Sequence, residues 1–313
     1  MDIYTKLMSK IPNDKLGQVK KVQENNEKIK RMLVVSIIIL LVGMVISAFR
    51  IFPFKILGVA ILVLAVFIVI LVYTEKYVKS YAKNVFKKNV VPYLIAEISD
   101  NITFNSINYV GPEILEYADL EIPLDIVDGE DYLYYTEKNG KFNLELSEIS
   151  ARYYSSEDLS FFEKMTETKF EGVFAHAQFN SGYIGQVRIF NKENVLDKYS
   201  KLREKENKVI NLESVDFQDK YDVYATEQIN VRRILTPTMM EKIQEAEELV
   251  KGKIEISIID NELFIKVDCK DFLDSYSRNS IIYKNRINRD YTLIKTILEL
   301  SDNLINNIEK ISI

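Results

Sequence analysis

The chain has 313 residues, with 41 Lys+Arg, 46 Asp+Glu, one His and one Cys, and a formal net charge of −5. A single cysteine excludes an internal disulfide, as expected for a reducing compartment, and with only His176 beside it a zinc site of Cys and His ligands cannot be assembled. Residues 1–89 hold 15 Lys+Arg against 5 Asp+Glu, leaving 26 against 41 for residues 90–313, so a part of +10 precedes one of −15 whose acidity argues against nucleic acid as a partner.

Residues 1–31 read as a cytoplasmic N-terminal segment, irregular around Pro12 and Gly17 and then a polar helix. Two uncharged blocks follow, Met32–Phe49 and Ile56–Tyr73. As helices each reaches roughly 27 Å, close to the hydrocarbon thickness of a bilayer. The connection from Arg50 to Lys55 suits a turn broken by Pro53, so residues 32–73 are expected to form a transmembrane helical hairpin (32–49 and 56–73). Six cations from Lys15 to Arg31 and five from Lys76 to Lys88 flank it, which predicts a two-span protein of the bacterial inner membrane with both termini cytoplasmic. The lipid bilayer is then a partner, with anionic headgroups drawn to the flanking lysines at about 1 kcal/mol per cation. Residues 74–100 continue as a helical stalk in which Pro92 marks a kink or a new turn.

Residues 101–313 read as a cytoplasmic α+β domain of antiparallel sheet with packed helices. Counting outward from Asn139-Gly140 pairs Glu137 with Phe142, Tyr135 with Leu144 and Leu133 with Leu146 on one face, with a wetter face opposite. A second hairpin is expected at Asn180-Ser181-Gly182, joining 169–179 to 183–189, with Val173, Ala175, Ala177 and Phe179 on one side and His176 and Gln178 on the other. Residues 191–208 suit a polar surface helix or loop. Phe217–Ala225 is strand-like, and Thr226 precedes a helical turn through Leu235. The next helix starts at Thr236-Pro237 or at a Thr238/Glu241 capping box, runs to Val250 or Lys251, and ends at Gly252. Around Asp260-Asn261, Ile258 pairs with Leu263, Ile256 with Ile265 and Ile254 with Val267, while Glu255 meets Lys266 on the other face. From Ile281 the apolar spacing predicts an amphipathic helix.

Four segments share order and spacing with a known family: Phe170-Glu171-Gly172-Val173-Phe174 leading into Phe179-Asn180; Phe217 to Tyr224; Arg232-Arg233-Ile234-Leu235-Thr236-Pro237; and Asp260 to Ile265 before Asp271-Phe272. On these residues the chain from about Tyr77 onward resembles the bacterial domain-of-unknown-function family 3137. The resemblance implies membrane-associated proteins without established activity, and names no catalytic residue.

No Gly-rich phosphate loop is present, and His176 has no nucleophile partnered in sequence. Asp216, Asp219 and Asp222 lack the glycine and terminal glutamate of a calcium loop. The ligand-binding candidates are Arg232, Arg233 and Thr236, because two guanidinium groups precede a helix start where free amides attract anions; ion pairing with the domain's own carboxylates is the competing use. No catalytic residue, metal or cofactor is assigned. The absence of a catalytic constellation favours a membrane-tethered interaction or scaffolding module that binds another protein, with a membrane-bound enzyme or sensor for a phosphate-bearing ligand as the alternative.

Overall fold

The computed structural model describes residues 2–48, 54–154, 166–192, 208–274 and 280–311. The chain divides into two compact units, Met1–Leu94 with Asp274–Asn288, and Ile95–Leu273 with Arg289–Ile313.

The first unit is helical: α1 (Ile3–Lys10), α2 (Asn13–Ala48), α3 (Phe54–Asn89) and the opening of α4 (Val91–Ile98). Pro92 lies in the first turn of α4, where its missing N–H costs nothing. Lys15 Nζ donates to the Tyr93 hydroxyl at 3.2 Å and Asn89 Nδ2 to Gln18 Oε1 at 3.3 Å, so the start of α2 meets the end of α3 and the pair is antiparallel. Val19, Val22, Phe86, Val90 and Leu94 are buried in this unit, and Lys83 and Lys87 reach Asp274 at 2.8 and 3.8 Å.

The expected membrane hairpin is corrected here. Among the described residues, no helix is long and apolar enough to cross a membrane. The two-span location in the bacterial inner membrane, with both termini cytoplasmic, falls with it. Both blocks are sections of 36-residue helices that continue as charged turns. Within α2 the described part of the first block stops at Ala48, and the connecting turn at 49–53 lies outside the described residues. Apolar side chains of both helices, among them Val34, Ile38, Leu41, Val66, Val69 and Val72, stand exposed. The irregular lead is corrected too, since α1 is helical.

The second unit is built on a nine-stranded antiparallel sheet in the order β1-β2-β3-β4-β9-β8-β5-β7-β6. The strands are β1 (Ile102–Asn105), β2 (Ile126–Thr136), β3 (Phe142–Tyr154), β4 (Thr166–Phe179), β5 (Gln186–Asn191), β6 (Lys208–Val209), β7 (Tyr221–Ala225), β8 (Ile254–Ile259) and β9 (Glu262–Asp268). Its helices are α5 (Pro112–Ala118), α6 (Val215–Lys220), α7 (Gln228–Ile234), α8 (Pro237–Val250) and most of α9 (Ser280–Glu309).

The β2–β3 and β8–β9 registers are those expected from the turn residues: Leu133 faces Leu146, Tyr135 faces Leu144, Ile256 faces Ile265 and Glu255 faces Lys266. The 169–189 hairpin is not formed. β4 pairs with β9, and β5 pairs with β8 and β7, so the β8–β9 hairpin is inserted between two strands adjacent in sequence. Gly182 does adopt a positive φ of 68°, but in a connection that passes over the β8–β9 turn. There Ser181 donates through its amide and hydroxyl to Asn261 Oδ1 (3.3 and 3.1 Å), and the Gly185 amide donates to Asp260 Oδ1 at 3.0 Å.

The wetter face expected on the β2–β3 hairpin is present near its turn, where Tyr134, Thr136 and Asn143 are exposed, whereas the centre of the sheet is buried on both sides. One face carries Val173, Ala175, Ala177, Ile256, Ile265 and Val267, all buried, and Tyr221 of this face bonds Glu247 of α8. The opposite face is covered by residues 110–122, whose Val110, Leu115, Leu120 and Ile122 pack with Ile149, Phe170, Phe174 and Phe264.

Phe217–Ala225 divides at Lys220: Ser214 accepts from the Phe217 amide at 3.3 Å and starts α6 before β7 begins. The Thr226 hydroxyl does not cap the following helix; it accepts from the Gln186 amide at 3.1 Å. For α8 the Thr236-Pro237 signal prevails, with the Thr236 hydroxyl accepting from the Met239 amide at 3.3 Å. The helix stops at Lys251, which takes φ 56°, just before Gly252. α9 follows its predicted periodicity, burying Ile287, Ile294, Ile305 and Ile308. The 191–208 loop falls mostly outside the described residues.

Gly172 is where β9 closes on β4: a Cβ there would stand 2.1 Å from the Val267 carbonyl oxygen. Gly172→Ala is therefore expected to destabilise by about 2–3 kcal/mol through forced backbone displacement. Gly17→Ala, exposed within α2 with nothing inside 4 Å of the added methyl, is expected to stabilise by up to about 1 kcal/mol. Urea midpoints of the two variants should move in opposite directions.

Candidate functional site

The densest polar arrangement on the sheet centres on His176, only 3% exposed. Register places it opposite Glu145 of β3 and Phe264 of β9, so three adjacent strands present their side chains to one point. Nδ1 lies 2.7 Å from Glu145 Oε1 and Nε2 lies 2.7 Å from Glu262 Oε2. For both contacts to be hydrogen bonds to ionised carboxylates, the ring must carry a proton on each nitrogen. The ring stacks on Phe264 at 4.8 Å and an interplanar angle of 6°, and the Tyr132 hydroxyl extends the chain by donating to Glu145 Oε2 at 2.8 Å.

Burial pushes the Glu145 carboxyl up, but hydrogen bonds from His176 and Tyr132 and the charge on His176 outweigh it and hold the group below its ordinary value. Burial and then the bond to Glu145 raise Tyr132. A histidine held at both nitrogens has no lone pair to offer a substrate, so the arrangement ties β2, β3, β4 and β9 together rather than serving as a general base. A second buried pair lies on the same face. Lys266 Nζ meets Glu255 Oε2 at 2.6 Å, with the side chains 9% and 1% exposed, and the ammonium lies 5.2 Å over the Phe170 ring.

On the other face, Glu130, Asp131 and Glu148 place carboxylate oxygens within 4.8 Å of one another beside the irregular register of β2. Glu148 spends one oxygen on the Phe272 amide at 3.1 Å. With that oxygen committed, the three carboxylates have five left, short of the about six to eight oxygens that calcium takes. Asp216 and Asp219 lie in α6, while Asp222 lies in β7 and pairs with Lys192 at 3.5 Å. Burial pushes the Cys269 thiol up to about 12, so it is not poised as a nucleophile.

Arg232 and Arg233 occupy the last turn of α7 and are exposed; among the described residues neither makes an ion pair. Thr236 is two residues beyond α7 and its hydroxyl is committed to the start of α8. Sequence reasoning passed over one end of the sheet. There the Thr226 amide donates to the Gln186 carbonyl at 3.1 Å, joining the start of β5 to the approach of α7. Ile184 and Ile229, each within three residues of that bond, are 82% and 70% exposed. Next to Ile184 in the chain, burial and then the charges of Glu227 and Asp260 push the Tyr183 hydroxyl up to about 12. Glu262 and Asp260 act on the half-exposed Tyr117 as well. The exposure of an isolated isoleucine carries no sequence signal until the fold is known.

The fold defines a class before it defines a family: an α+β domain with one antiparallel sheet buried on both faces. Residues 168–305 match the family described as a protein of unknown function (DUF3137), the family that the four segments resemble. The crystal structure of the mycobacterial trehalose monomycolate transport factor A, TtfA, aligns over 62% of this chain and 88% of that one, at 10% identity and a TM-score of 0.30, a likeness too slight to carry an argument. No curated protein matches the chain.

Glu145→Gln is expected to cost about 1–3 kcal/mol near pH 6, because it leaves a buried His176 nitrogen without its charged acceptor. Since the folded-state pKa of Glu145 lies below 4.5, its contribution is present above that pH and is lost as the pH falls through the lower folded value. Urea unfolding of wild type and variant between pH 6 and pH 3 should show the difference shrinking with acidity.

Proposed function

We propose that the sheet-bearing unit is a protein-binding module whose docking surface is the end of the sheet around Ile184 and Ile229. The observation that carries this reading is the exposure of two large aliphatic side chains, Ile184 two residues before Gln186 and Ile229 three residues after Thr226, on segments that the Gln186–Thr226 bond joins. Burying one such side chain contributes about 1.5–3 kcal/mol, enough for an anchor when the surrounding surface is complementary. Glu227 and Asp260 act on Tyr183, the chain neighbour of Ile184, so the complementary partner segment carries an apolar residue flanked by Lys or Arg. Among the described residues Glu227 and Asp260 make no ion pair within the chain, which leaves their charge available to such a segment.

A photo-crosslinking amino acid at Ile184 in the full chain, expressed in its own cells, is expected to capture one predominant protein. Ile229→Asp should reduce that product at least tenfold while leaving the thermal midpoint unchanged, and raised salt should weaken it. A crosslinking pattern indifferent to Ile229→Asp overturns the assignment.

A further inference from the structure

A cleft of about 680 Å³ opens in the sheet-bearing unit where the chain leaves α8 for β8, where β9 ends, and where α9 contributes Arg289. Its volume lies within the roughly 300–1,000 Å³ typical of small-molecule sites. Lys251, Lys253, Lys270 and Arg289 line it, against Glu171 and Asp268. Four cations gathered in one cleft run against the trend of residues 90–313, whose formal charge is −15 from 26 Lys+Arg and 41 Asp+Glu. The negative end of α8 attracts Lys251 and Lys253 as it would any cation. It does not account for Lys270 and Arg289, which arrive from other elements.

Two features fix these charges in advance. Gly252 brings the α8–β8 connection against the end of β9: a Cβ at Gly252 would stand 2.0 Å from the Asp268 carbonyl oxygen, so the lysines on either side are held beside residues 268–270. The Arg289 guanidinium is clamped by Asp290 Oδ1 at 2.9 and 2.7 Å, by the Lys270 carbonyl at 2.8 Å and by the Asp271 carbonyl at 2.7 Å. Those four bonds use four of its about five N–H groups, leaving one for a ligand on a plane that is already set. Glu171 meets Lys270 only at 3.8 Å, with the side chains 37% and 79% exposed, a contact readily exchanged for a ligand group.

We propose that this cleft binds a small soluble phosphate monoester of a polyol. The phosphate lies among Lys251, Lys270 and the remaining Arg289 N–H, and the hydroxyls donate to Glu171 and Asp268. Apart from Gly252 and the buried Val250 and Cys269, the lining residues are all charged, which favours a free metabolite over a lipid headgroup of the same chemistry. This site is separate from the docking surface around Ile184 and stands or falls independently of it.

Calorimetric titration of the full chain with glucose 6-phosphate tests the proposal, with glucose, inorganic sulfate at matched ionic strength, and vesicles containing a phosphatidylinositol phosphate as the other arms. The expected result is saturable one-site binding of glucose 6-phosphate, no binding of glucose, weaker binding of sulfate, and at least a tenfold loss in Lys251→Gln/Lys270→Gln. Both lysines are exposed, so the variant should keep the wild-type thermal midpoint. Absence of saturable binding, equal response to sulfate, binding by vesicles alone, or unchanged affinity in the double variant overturns it.

Discussion

The pairing of β9 with β4 is the contact on which the sheet-bearing unit depends. It brings Val267 against Gly172 with no room for a side chain between them and aligns Phe264 with His176. It also places Lys266, bonded to Glu255, over the Phe170 ring. Through β9 the sheet gains β8, and through β8 it gains β5 and β7. Without it, β1 to β4 and β9-β8-β5-β7-β6 would be two smaller sheets, each with an unsatisfied edge.

Both tight hairpins were legible because their turn residues and their alternating side chains point to the same register. Ile254, Ile256 and Ile258 find their predicted partners, as do Leu133 and Tyr135. The β4–β5 hairpin misled for a physical reason: Asn180-Ser181-Gly182 has the chemistry of a turn, and the chain does turn there, but local chemistry cannot say which strand lies next to β4. That was decided by a hairpin about eighty residues later, whose β9 pairs with β4. The apolar blocks of α2 and α3 misled in a different way. Block length alone implied a membrane, while the described helices contain no span of sufficient length and apolarity.

The polar groups were legible as residue types but not in their roles. His176 was visible as the lone histidine on one side of β4, yet its two carboxylate neighbours lie 31 and 86 residues away and belong to other strands. Arg232, Arg233 and Thr236 stood out because they adjoin a helix start. The structure leaves the arginines in solvent and gives the threonine a capping role. Lys251, Lys253, Lys270 and Arg289 looked like scattered surface charge until Gly252 and the clamp on Arg289 brought them to one cleft.

The insertion of the β8–β9 hairpin between β4 and β5 also orders events in time. On a ribosome the chain emerges from its N-terminus, so β4 and β5 are both exposed to solvent well before residues 254–268 exist to pair with either. Their inner edges then present unpaired amides and carbonyls on apolar strands, the kind of surface that recruits the wrong neighbour. Joining strands so distant in sequence requires a large loop closure before any bonds repay it, which slows completion of the sheet. The nascent domain is thus most vulnerable to association with another copy during the interval in which its centre is missing.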